Sequence, residues 1–438
     1  MTEYFDFDRL LESVLEAEGE QAVPLTVVDA ALARARTSPQ RRPFVRVLDR
    51  RAWPAPRLSM GDPATARLVK MGLVALLTLA LITAAIGIGS RIRRTDVVLP
   101  PGWSTTGSMI EARADFTATR LSDGRVLAAG GATAAGQLTT AELYDPSTGT
   151  WSATRGMSDA RSFFTATSLA DGRVLVVGGG AGDDKLASAE LFDPATGSWT
   201  VTGSMTEARA QHVAVLLSDG TVLVAGGTSG EPPSNAAEVY DPATGSWTDT
   251  RPMTTWRASP TATLLPNGQV LVAGGFGLAA SANDSAELYD ATTGTWTATG
   301  SMTLARGDRA SATLLLNGTV LVAGVPGASA ELYDPATGSW TATGRMIEGE
   351  GGHTATLLRD GSVLVAGGII GSELLPLDSA QSYDPRTGSW SAEAPMNVAR
   401  QGGIAVLLPS GRVLVIGGVG TRVAALSAAE LFVPAIGS

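Results

Sequence analysis

The sequence predicts an all-β domain, a seven-bladed propeller, that follows a single transmembrane helix and a short N-terminal region that is partly helical or disordered. Three observations support this prediction. A unit with a period of about 48 residues recurs from residue 102 onward, in the range typical of propeller blades. One strand of each unit is apolar at almost every position, and a long uncharged run precedes the first unit.

The best-preserved unit runs from Asp219 to Trp247. Its Asp-Gly pair separates two apolar runs, which predicts a hairpin with a type I′ turn and positive φ at both central positions. Val222 to Ala225 are apolar throughout, so both faces of this strand are expected to be covered and sheets to stack on sheets. Each unit is predicted to form a meander of four antiparallel strands.

Three markers each occur seven times, which predicts seven blades. The second strand ends at Gly131, Gly179, Gly227, Gly275, Val325, Gly368 and Gly418. The third strand carries Tyr144, Phe192, Tyr240, Tyr289, Tyr333, Tyr383 and Phe432. The fourth strand runs from Trp103 to Met109, Trp151 to Met157, Trp199 to Met205, Trp247 to Met253, Trp296 to Met302, Trp340 to Met346 and Trp390 to Met396.

The two ends of the repeat array complement each other. The first Trp-to-Met strand precedes all other strands, whereas the last unit, Gln401 to Val433, has no such strand after it. We therefore expect residues 103–109 to complete the last blade, because a closed ring leaves no unpaired sheet edge between first and last units. The propeller is predicted to span residues 102–438.

The run from Met71 to Gly89 is uncharged and nearly as long as the roughly 20 residues that a helix needs to cross a bilayer. We predict a transmembrane helix at 68–90, a cytosolic region with short helices and a basic linker at 1–67, and a second linker at 91–101. Arginines crowd the N-terminal flank, which favours a cytoplasmic N-terminus and an extracytoplasmic propeller. The alternative is a cleaved signal peptide, if translation begins at Met60.

The composition excludes several classes of site. Cysteine is absent, so the chain has no disulfides, thiolate metal sites or cysteine nucleophiles. The net charge of -10 argues against a nucleic-acid partner, which would need a basic stripe. No cofactor is predicted. Lysine occurs only at Lys70 and Lys185, and we interpret this skew toward arginine as typical of a bacterial source.

The Gly-Gly pair, the aromatic residue of the third strand and the Trp six residues after its Asp resemble kelch repeats across residues 102–438. This resemblance implies a seven-bladed propeller, a fold shared with the galactose oxidase catalytic domain, and a role that is most often binding. Two units depart from the pattern. The fifth reads Gly324-Val325-Pro326 before a shortened loop, and the last has Val433 where the others have Asp.

Two enzymatic interpretations are weak. Galactose oxidase chemistry needs a copper site with a cysteine cross-linked to tyrosine, and the chain has no cysteine. The two histidines, His212 and His353, fill one repeat position three blades apart, which favours a structural role over a metal pair. The Asp-Pro-x-Thr-Gly turns lack the spacing of the sialidase motif, and turn chemistry explains them better.

An arginine before the first strand is predicted to pair with a glutamate of the third strand in six blades. An anion-binding ring of arginines is the alternative. The blade that has Glu350 in place of the arginine also has Gln381 in place of the glutamate. The predicted structural residues are Arg113, Arg161, Arg209, Arg257, Arg306 and Arg400, with Glu142, Glu190, Glu238, Glu287, Glu331 and Glu430.

Two sets of loops vary between units and share one end of the propeller, so we predict the binding face there. They join the second strand to the third, and the fourth strand to the next blade. Trp256 and Phe276 are predicted to be exposed anchors. The full candidate set is Asp183, Asp184, Lys185, Glu231, Trp256, Phe276, Asp284, Glu348, Glu350, Asp378 and Arg422.

The leading hypothesis is a membrane-anchored, non-enzymatic module that binds a protein or glycan of the cell envelope. An envelope carbohydrate-active enzyme is one alternative. The other is the receptor part of a signalling protein with a cytosolic regulatory arm. The candidate face shows no set of converging carboxylates or metal ligands of the kind that an enzyme needs.

Overall fold

A computed structural model describes residues 101–435, apart from 183, 231, 279–280, 308, 371–374 and 423. These residues form seven four-stranded antiparallel sheets, which confirms the predicted seven-bladed propeller. The predicted cytosolic region, transmembrane helix and nearly all of the second linker lie outside the described residues. Within the described part of the chain, no helix is long and apolar enough to span a membrane.

Each blade is a meander whose first strand lies nearest the axis and whose fourth strand lies at the rim. Blade 1 contains β2 (Thr117–Arg120), β3 (Val126–Ala129), β6 (Ala141–Asp145) and β7 (Thr150–Ala153). Blade 2 contains β8 (Thr165–Ser168), β9 (Val174–Val177), β12 (Ala189–Asp193) and β13 (Ser198–Thr202). Blade 3 contains β14 (Val213–Leu216), β15 (Val222–Ala225), β16 (Ala237–Asp241) and β17 (Ser246–Asp249). Blades 4 and 5 contain β18 (Thr261–Leu264), β19 (Val270–Ala273), β20 (Ala286–Asp290) and β21 (Thr295–Ala298); and β22 (Ser311–Leu314), β23 (Val320–Ala323), β24 (Ala330–Asp334) and β25 (Ser339–Ala342).

The last two blades follow the same plan. They contain β26 (Thr354–Leu357), β27 (Val363–Ala366), β30 (Ala380–Asp384) and β31 (Ser389–Ala392); and β32 (Ile404–Leu407), β33 (Val413–Ile416), β34 (Ala429–Val433) and β1 (Gly102–Thr105). Three loops between second and third strands carry short hairpins of their own: β4 (Ala132–Thr133) with β5 (Gly136–Gln137), β10 (Gly180–Ala181) with β11 (Asp184–Lys185), and β28 (Ile369–Ile370) with β29 (Leu375–Pro376).

The ring closes by pairing the start of the domain with its end. β1 lies antiparallel to β34, with Trp103 opposite Phe432, so it is the fourth strand of blade 7. The first strands of neighbouring blades contact one another all round, including those of blades 7 and 1. The core follows the same ring, because each buried apolar cluster combines side chains from two adjacent blades.

The second strands lie at the centre of these clusters. All four residues of every second strand are buried, as the unbroken apolar runs predict. The glycine pair that ends each of these strands allows the next blade to approach. A Cβ built on Gly130, where φ is +60°, would lie 2.7 Å from the carbonyl oxygen of Arg161 in blade 2. The glycines are therefore packing residues.

The hairpin turn differs from the predicted type I′ turn. In blade 1 the Gly124 N–H donates to the Leu121 carbonyl, and the Leu121 N–H donates to the Arg125 carbonyl. Gly124 has a positive φ of 89°, whereas Asp123 does not. This is the three-residue loop in which a type I turn precedes one left-handed residue. Asp123 instead accepts the Arg125 N–H through its carboxylate.

The opposite turn, between third and fourth strands, has the predicted chemistry. Gly149 takes a positive φ of 71° and donates its N–H to the Asp145 carbonyl. The Asp145 carboxylate accepts the Ser147 N–H at 2.8 Å. The turn therefore presents Trp151 beside Tyr144, with ring centroids 5.1 Å apart.

Outer strands also connect neighbouring blades. The Trp151 indole N–H of blade 1 donates to the Gly107 carbonyl at 2.8 Å, and Gly107 follows the outer strand of blade 7. The Tyr144 hydroxyl lies 2.8 Å from the hydroxyl of Thr106, on the same segment. Similar links join most other blades, with Phe192 and Phe432 lacking the hydroxyl. Each blade is thus held to the next at its rim as well as through the core.

Candidate binding face

The candidate face is the end of the propeller that carries the loops between second and third strands and the turns that lead from one blade to the next. We call it the variable face. The three short hairpins of blades 1, 2 and 6 project there. At the opposite face, the loops are the short and similar turns described above. Recognition requires differences between positions, and only the variable face supplies them.

All six predicted arginine–glutamate pairs form beneath this face. Their Nη2–Oε1 distances range from 2.9 to 3.2 Å, and each pair is within a single blade. The arginine Nη1 also donates to the carbonyl of the first glycine after the second strand of its own blade. In blade 4 this hydrogen bond runs from Arg257 Nη1 to the Gly274 carbonyl, at 2.9 Å. The guanidinium groups are completely or almost completely buried, so they do not form an exposed anion-binding ring.

Each pair positions the turn above it. The Glu142 carboxylate accepts the backbone N–H groups of Ile110 and Glu111 at 2.6 and 3.1 Å. The Arg113 carbonyl accepts the N–H of Gly418 in blade 7. A buried ion pair has little net effect on stability, but loss of one partner leaves an uncompensated charge and is costly. The pair therefore fixes the height and direction of the turn at the variable face.

In blade 6 a carboxyl group, Glu350, takes the place of the arginine, and a neutral amide, Gln381, takes the place of the glutamate. Glu350 is completely buried and accepts a hydrogen bond of 2.8 Å from the Gln381 side-chain amide. Ser379 donates a second hydrogen bond of 3.2 Å to the same carboxyl. Burial, with a smaller contribution from the charge of the neighbouring Glu348, raises the pKa of Glu350 to about 7. The prediction that Glu350 belongs to the binding face is wrong, because it is completely buried in the inward place of the arginine.

The two histidines lie between blades near the axis. His212 Nε2 is 2.9 Å from the Thr165 hydroxyl of blade 2, and His353 Nε2 is 2.8 Å from the Ser311 hydroxyl of blade 5. Burial lowers the pKa of His212 to about 3 and that of His353 to about 4. They are packing residues of separate interfaces. Among the described residues, no group of three His, Asp or Glu is placed to hold a metal ion.

The other predicted face residues have mixed positions. Asp184, Asp284, Asp378 and Arg422 are exposed, and Lys185 and Glu348 are partly exposed. Asp183 and Glu231 lie outside the described residues. Trp256 and Phe276 are half-buried, so they are less exposed than the sequence predicted. A Cβ built on Gly307 would lie 2.5 Å from the Phe276 ring, which shows how closely the ring packs against the next blade.

Sequence reasoning missed the apolar residues that the face does expose. Ile110 is 67% exposed, Ile347 is 54% exposed and Phe163 is 45% exposed. Ile110 and Ile347 each directly follow the buried Met of a fourth strand, where other blades have Ser, Thr or Asn. That substitution of an isoleucine for a small polar residue is the signal that could have identified them.

Phe163 belongs to a chain of backbone hydrogen bonds that links blades 1 to 4 near the axis. Phe163 donates its N–H to the Asp115 carbonyl of blade 1, and Gln211 of blade 3 donates to the Phe163 carbonyl. All three have positive φ, between 52° and 56°, which is rare for a non-glycine residue and most unusual for a bulky one. These blade-to-blade hydrogen bonds hold this conformation. It thereby places an exposed aromatic side chain on the variable face.

Comparisons with known proteins agree with this architecture. The family model described as the Kelch motif matches residues 160–206, 209–254 and 353–397. A solved structure of a fungal alcohol oxidase of the AA5 family, in complex with copper, matches with a TM-score of 0.64 and 20% sequence identity, and the alignment covers 76% of each chain. At that identity the likeness shows the fold alone. No curated protein matches the chain by sequence.

Proposed function

Because the chain is a kelch-repeat β-propeller, we propose that it is a protein-binding module that uses its variable face and catalyses no reaction. One observation carries the proposal. Nine large apolar side chains are exposed among the described residues, and seven of them lie on the variable face. They are Ile110, Phe163, Leu278, Leu304, Ile347, Ile370 and Leu375. Exposed apolar side chains gathered on one face are typical of protein interfaces.

The chemistry of these side chains favours a protein over a glycan. Six of the seven are aliphatic, whereas sugars are usually bound by stacking on exposed aromatic rings. The two rings best suited by sequence to that role, Trp256 and Phe276, are half-buried. Aliphatic side chains bind by exclusion of water from a complementary apolar surface. A protein partner supplies such a surface more readily than a carbohydrate.

The positions of the strongly shifted titratable groups support binding rather than catalysis. Glu350, His212 and His353 have pKa values far from their ordinary ones, and all three are hydrogen-bonded to neutral side chains inside the propeller. A general acid or base must reach a substrate proton within hydrogen-bonding distance. These groups are engaged in packing between or within blades.

Photo-crosslinking tests the proposed face. A photoreactive amino acid placed at Ile110 or Phe163 of the full-length chain, expressed in its own cells, should form a covalent adduct with a discrete protein. Leu316 on the opposite face and Val201 on an outer strand are 74% and 62% exposed, so they are matched controls. Equal adducts at all four positions, or none at the face positions, would contradict the proposal.

We also propose that the propeller is anchored by the helix predicted at 68–90 and lies outside the cytoplasm. The support is the uncharged run from Met71 to Gly89 and the basic flank before it. Protease added to intact cells should then degrade the propeller and spare an epitope tag at residue 1. Protection of the propeller would reverse this topology without affecting the binding proposal.

A further inference from the structure

The same tripeptide, Met-Ile-Glu, begins the turns into blades 1 and 6 at residues 109–111 and 346–348. In blade 1 the Glu111 carboxylate has compensating partners. It lies 3.7 Å from the buried Arg113 guanidinium and accepts a hydrogen bond from the Thr140 hydroxyl. The acidic residues at this position in blades 2 and 3 are also paired with the arginine beneath them. These contacts are Asp159–Arg161 at 3.3 Å and Glu207–Arg209 at 3.1 Å.

Blade 6 keeps the carboxylate and lacks the cation. The position beneath Glu348 holds Glu350 instead of an arginine, so the turn of blade 6 has two acidic residues where blade 1 has one acidic and one basic residue. Asp378 and Glu393 line the same cleft as Glu348, and the Glu393 carboxylate accepts a hydrogen bond of 2.7 Å from the Ser382 hydroxyl. In the described part of the chain, no arginine or lysine forms an ion pair with any of these three carboxylates. In blades 1 to 3 the acidic residue at this position faces the positive charge of an arginine, and in blade 6 Glu350 takes the place of that arginine.

An open cleft of about 270 Å³ lies at this position. It is lined by Ile347, Glu348, Asp378, Gln381, Glu393 and Pro395, among other residues. The volume is slightly below the range of about 300–1,000 Å³ that is typical of small-molecule sites. It therefore suits one side chain better than a larger molecule. Ile347 lies at the cleft, and the exposed Ile370 and Leu375 belong to the hairpin of the same blade.

We propose that the blade 6 cleft receives an arginine or lysine side chain of a protein partner, with an aliphatic neighbour of that residue packed on Ile347. This inference rests on the proposed binding function and locates its partner's chemistry. Charge complementarity selects the basic residue, because three carboxylates line the cleft without a cation. An arginine has the better geometry, since its planar guanidinium donates to two carboxylate oxygens at once.

Other occupants fit less well. The described residues place no group of three acidic or histidine side chains to hold a metal ion. A small amine would satisfy the carboxylates but would leave the apolar surface of Ile347 in water. A peptide with adjacent basic and aliphatic side chains covers both. The basic part of the predicted N-terminal region, which begins at Arg34 and is taken here to residue 67, has such a composition, but the proposed topology puts it on the other side of the membrane.

The test is a random display library of short peptides selected on the purified full-length chain in detergent. Enriched peptides should contain a basic residue next to an aliphatic one. Their affinity should fall about tenfold in Glu348→Gln/Asp378→Asn, as expected for the loss of two partly exposed ion pairs. Glu111→Gln removes a carboxylate from the same position of blade 1 and should change affinity less than about twofold.

A peptide-side control guards against a misfolded variant. Replacement of the peptide's basic residue by glutamine should weaken binding to the wild type as much as the protein variant does, and the two losses should not add. Peptides that bind Glu348→Gln/Asp378→Asn and wild type equally, or an absence of enriched peptides, would overturn the cleft assignment. Cross-linking at Ile110 and Phe163 would still decide the proposed function separately.

Two further arms identify competing occupants. Spermidine represents a small amine, and a synthetic peptide of residues 34–67 represents the chain's own linker. If either binds with the same dependence on Glu348 and more tightly than every selected peptide, the partner is not a separate protein and the proposal is overturned. Weaker binding of both, with retention of the selected peptides, supports it.

Discussion

The Glu350 carboxyl accepts a hydrogen bond of 2.8 Å from the Gln381 amide, at the position where six other blades pair an arginine with a glutamate. Both residues of the pair have changed, and both substitutes are buried. The joint change avoids the two costly intermediates, a buried arginine without its glutamate or two facing carboxylates. Blade 6 therefore has, in place of the ion pair, a buried carboxyl group, Glu350, whose pKa is raised to about 7.

The first prediction concerns the pH dependence of stability. Because burial raises the folded-state pKa of Glu350 from 4.5 to about 7, the folded protein holds a proton that the unfolded chain releases. The contribution of Glu350 to the free energy of unfolding is complete below pH 4.5 and is lost as the pH rises through about 7. The loss is on the order of 3 kcal/mol.

Urea unfolding at several pH values measures this effect as a difference between two proteins. Glu350→Gln keeps a neutral group of the same shape, so it should lose the dependence and be more stable than wild type above about pH 7. Glu348 is the charged neighbour that opposes ionisation of Glu350, and His353 and Arg309 lie on segments packed nearby. Glu348→Gln should therefore lower the Glu350 pKa without abolishing the dependence. Parallel profiles for wild type and Glu350→Gln would contradict the assignment.

The second prediction restores the ion pair of the other blades. Glu350→Arg/Gln381→Glu should fold and lose the pH dependence of Glu350. Gln381→Glu alone should be destabilised, because the new carboxyl group at position 381 would face the buried carboxyl group of Glu350. Glu350→Arg alone should be destabilised because its guanidinium is buried without a counter-ion. We expect a favourable coupling of about 2–3 kcal/mol in the double-mutant cycle, measured above about pH 7. Additive single effects would show that the two sites do not form the pair seen elsewhere in the ring.

The third prediction concerns acid. The folded-state pKa of His212 is lowered from 6.5 to about 3, so its contribution to stability is present above 6.5 and is lost as the pH falls toward 3. Blade 2 has Phe164 at the same position, packed close to Gly130. His212→Phe should therefore fold, at a cost of about 1 kcal/mol for the lost hydrogen bond to Thr165.

The same variant should be less sensitive to acid than wild type, as measured by thermal unfolding between about pH 7 and about pH 4. His353→Phe is the matched variant in blade 6, with a smaller expected effect because the pKa of His353 is lowered only to about 4. If His212→Phe were as sensitive to acid as the wild type, protonation of His212 would not be the cause of the loss of stability at low pH.

The repeats explain why so much of this fold could be predicted from one sequence. Seven copies act as an internal alignment, so the change of Arg to Glu350 together with Glu to Gln381 indicated a contact that a single copy would not reveal. The closing strand was likewise expected from its place in the count. The turn type was not, because Asp-Gly suits both a type I′ turn and a type I turn with a left-handed glycine.

Exposure at the variable face was harder to predict, because it depends on loop conformations that do not repeat. Phe276 is partly covered because Gly307, in the next blade, leaves room for its ring. Glu350 is buried because the arginine position points inward whatever residue fills it. Conversely, Phe163 is exposed because its backbone hydrogen bonds with Asp115 and Gln211 hold it at a φ of 54°. None of these outcomes follows from the residue types alone.

The last prediction concerns ring closure. The Trp103 ring packs against Phe432 at an interplanar angle of 50°, with centroids 5.1 Å apart, and its indole N–H donates to the Ala394 carbonyl at 2.7 Å. Its strand is joined to blade 7 only by non-covalent contacts, whereas every other fourth strand continues from its own third strand through a tight turn. Trp103→Ala should therefore release the strand as well as remove a side chain.

Trp296→Ala is the matched control, because Trp296 packs against Tyr289 in the same tilted arrangement but its indole N–H has no partner among the described residues. Both tryptophans are half-buried, so each truncation should cost less than the roughly 3–5 kcal/mol of a fully buried aromatic, and we expect Trp103→Ala to cost at least about 1 kcal/mol more than Trp296→Ala in urea unfolding. Hydrogen exchange should also quicken at Ala429–Val433 in Trp103→Ala alone, since release of β1 exposes that edge. Equal costs and unchanged exchange would show that the propeller stays closed without this tryptophan.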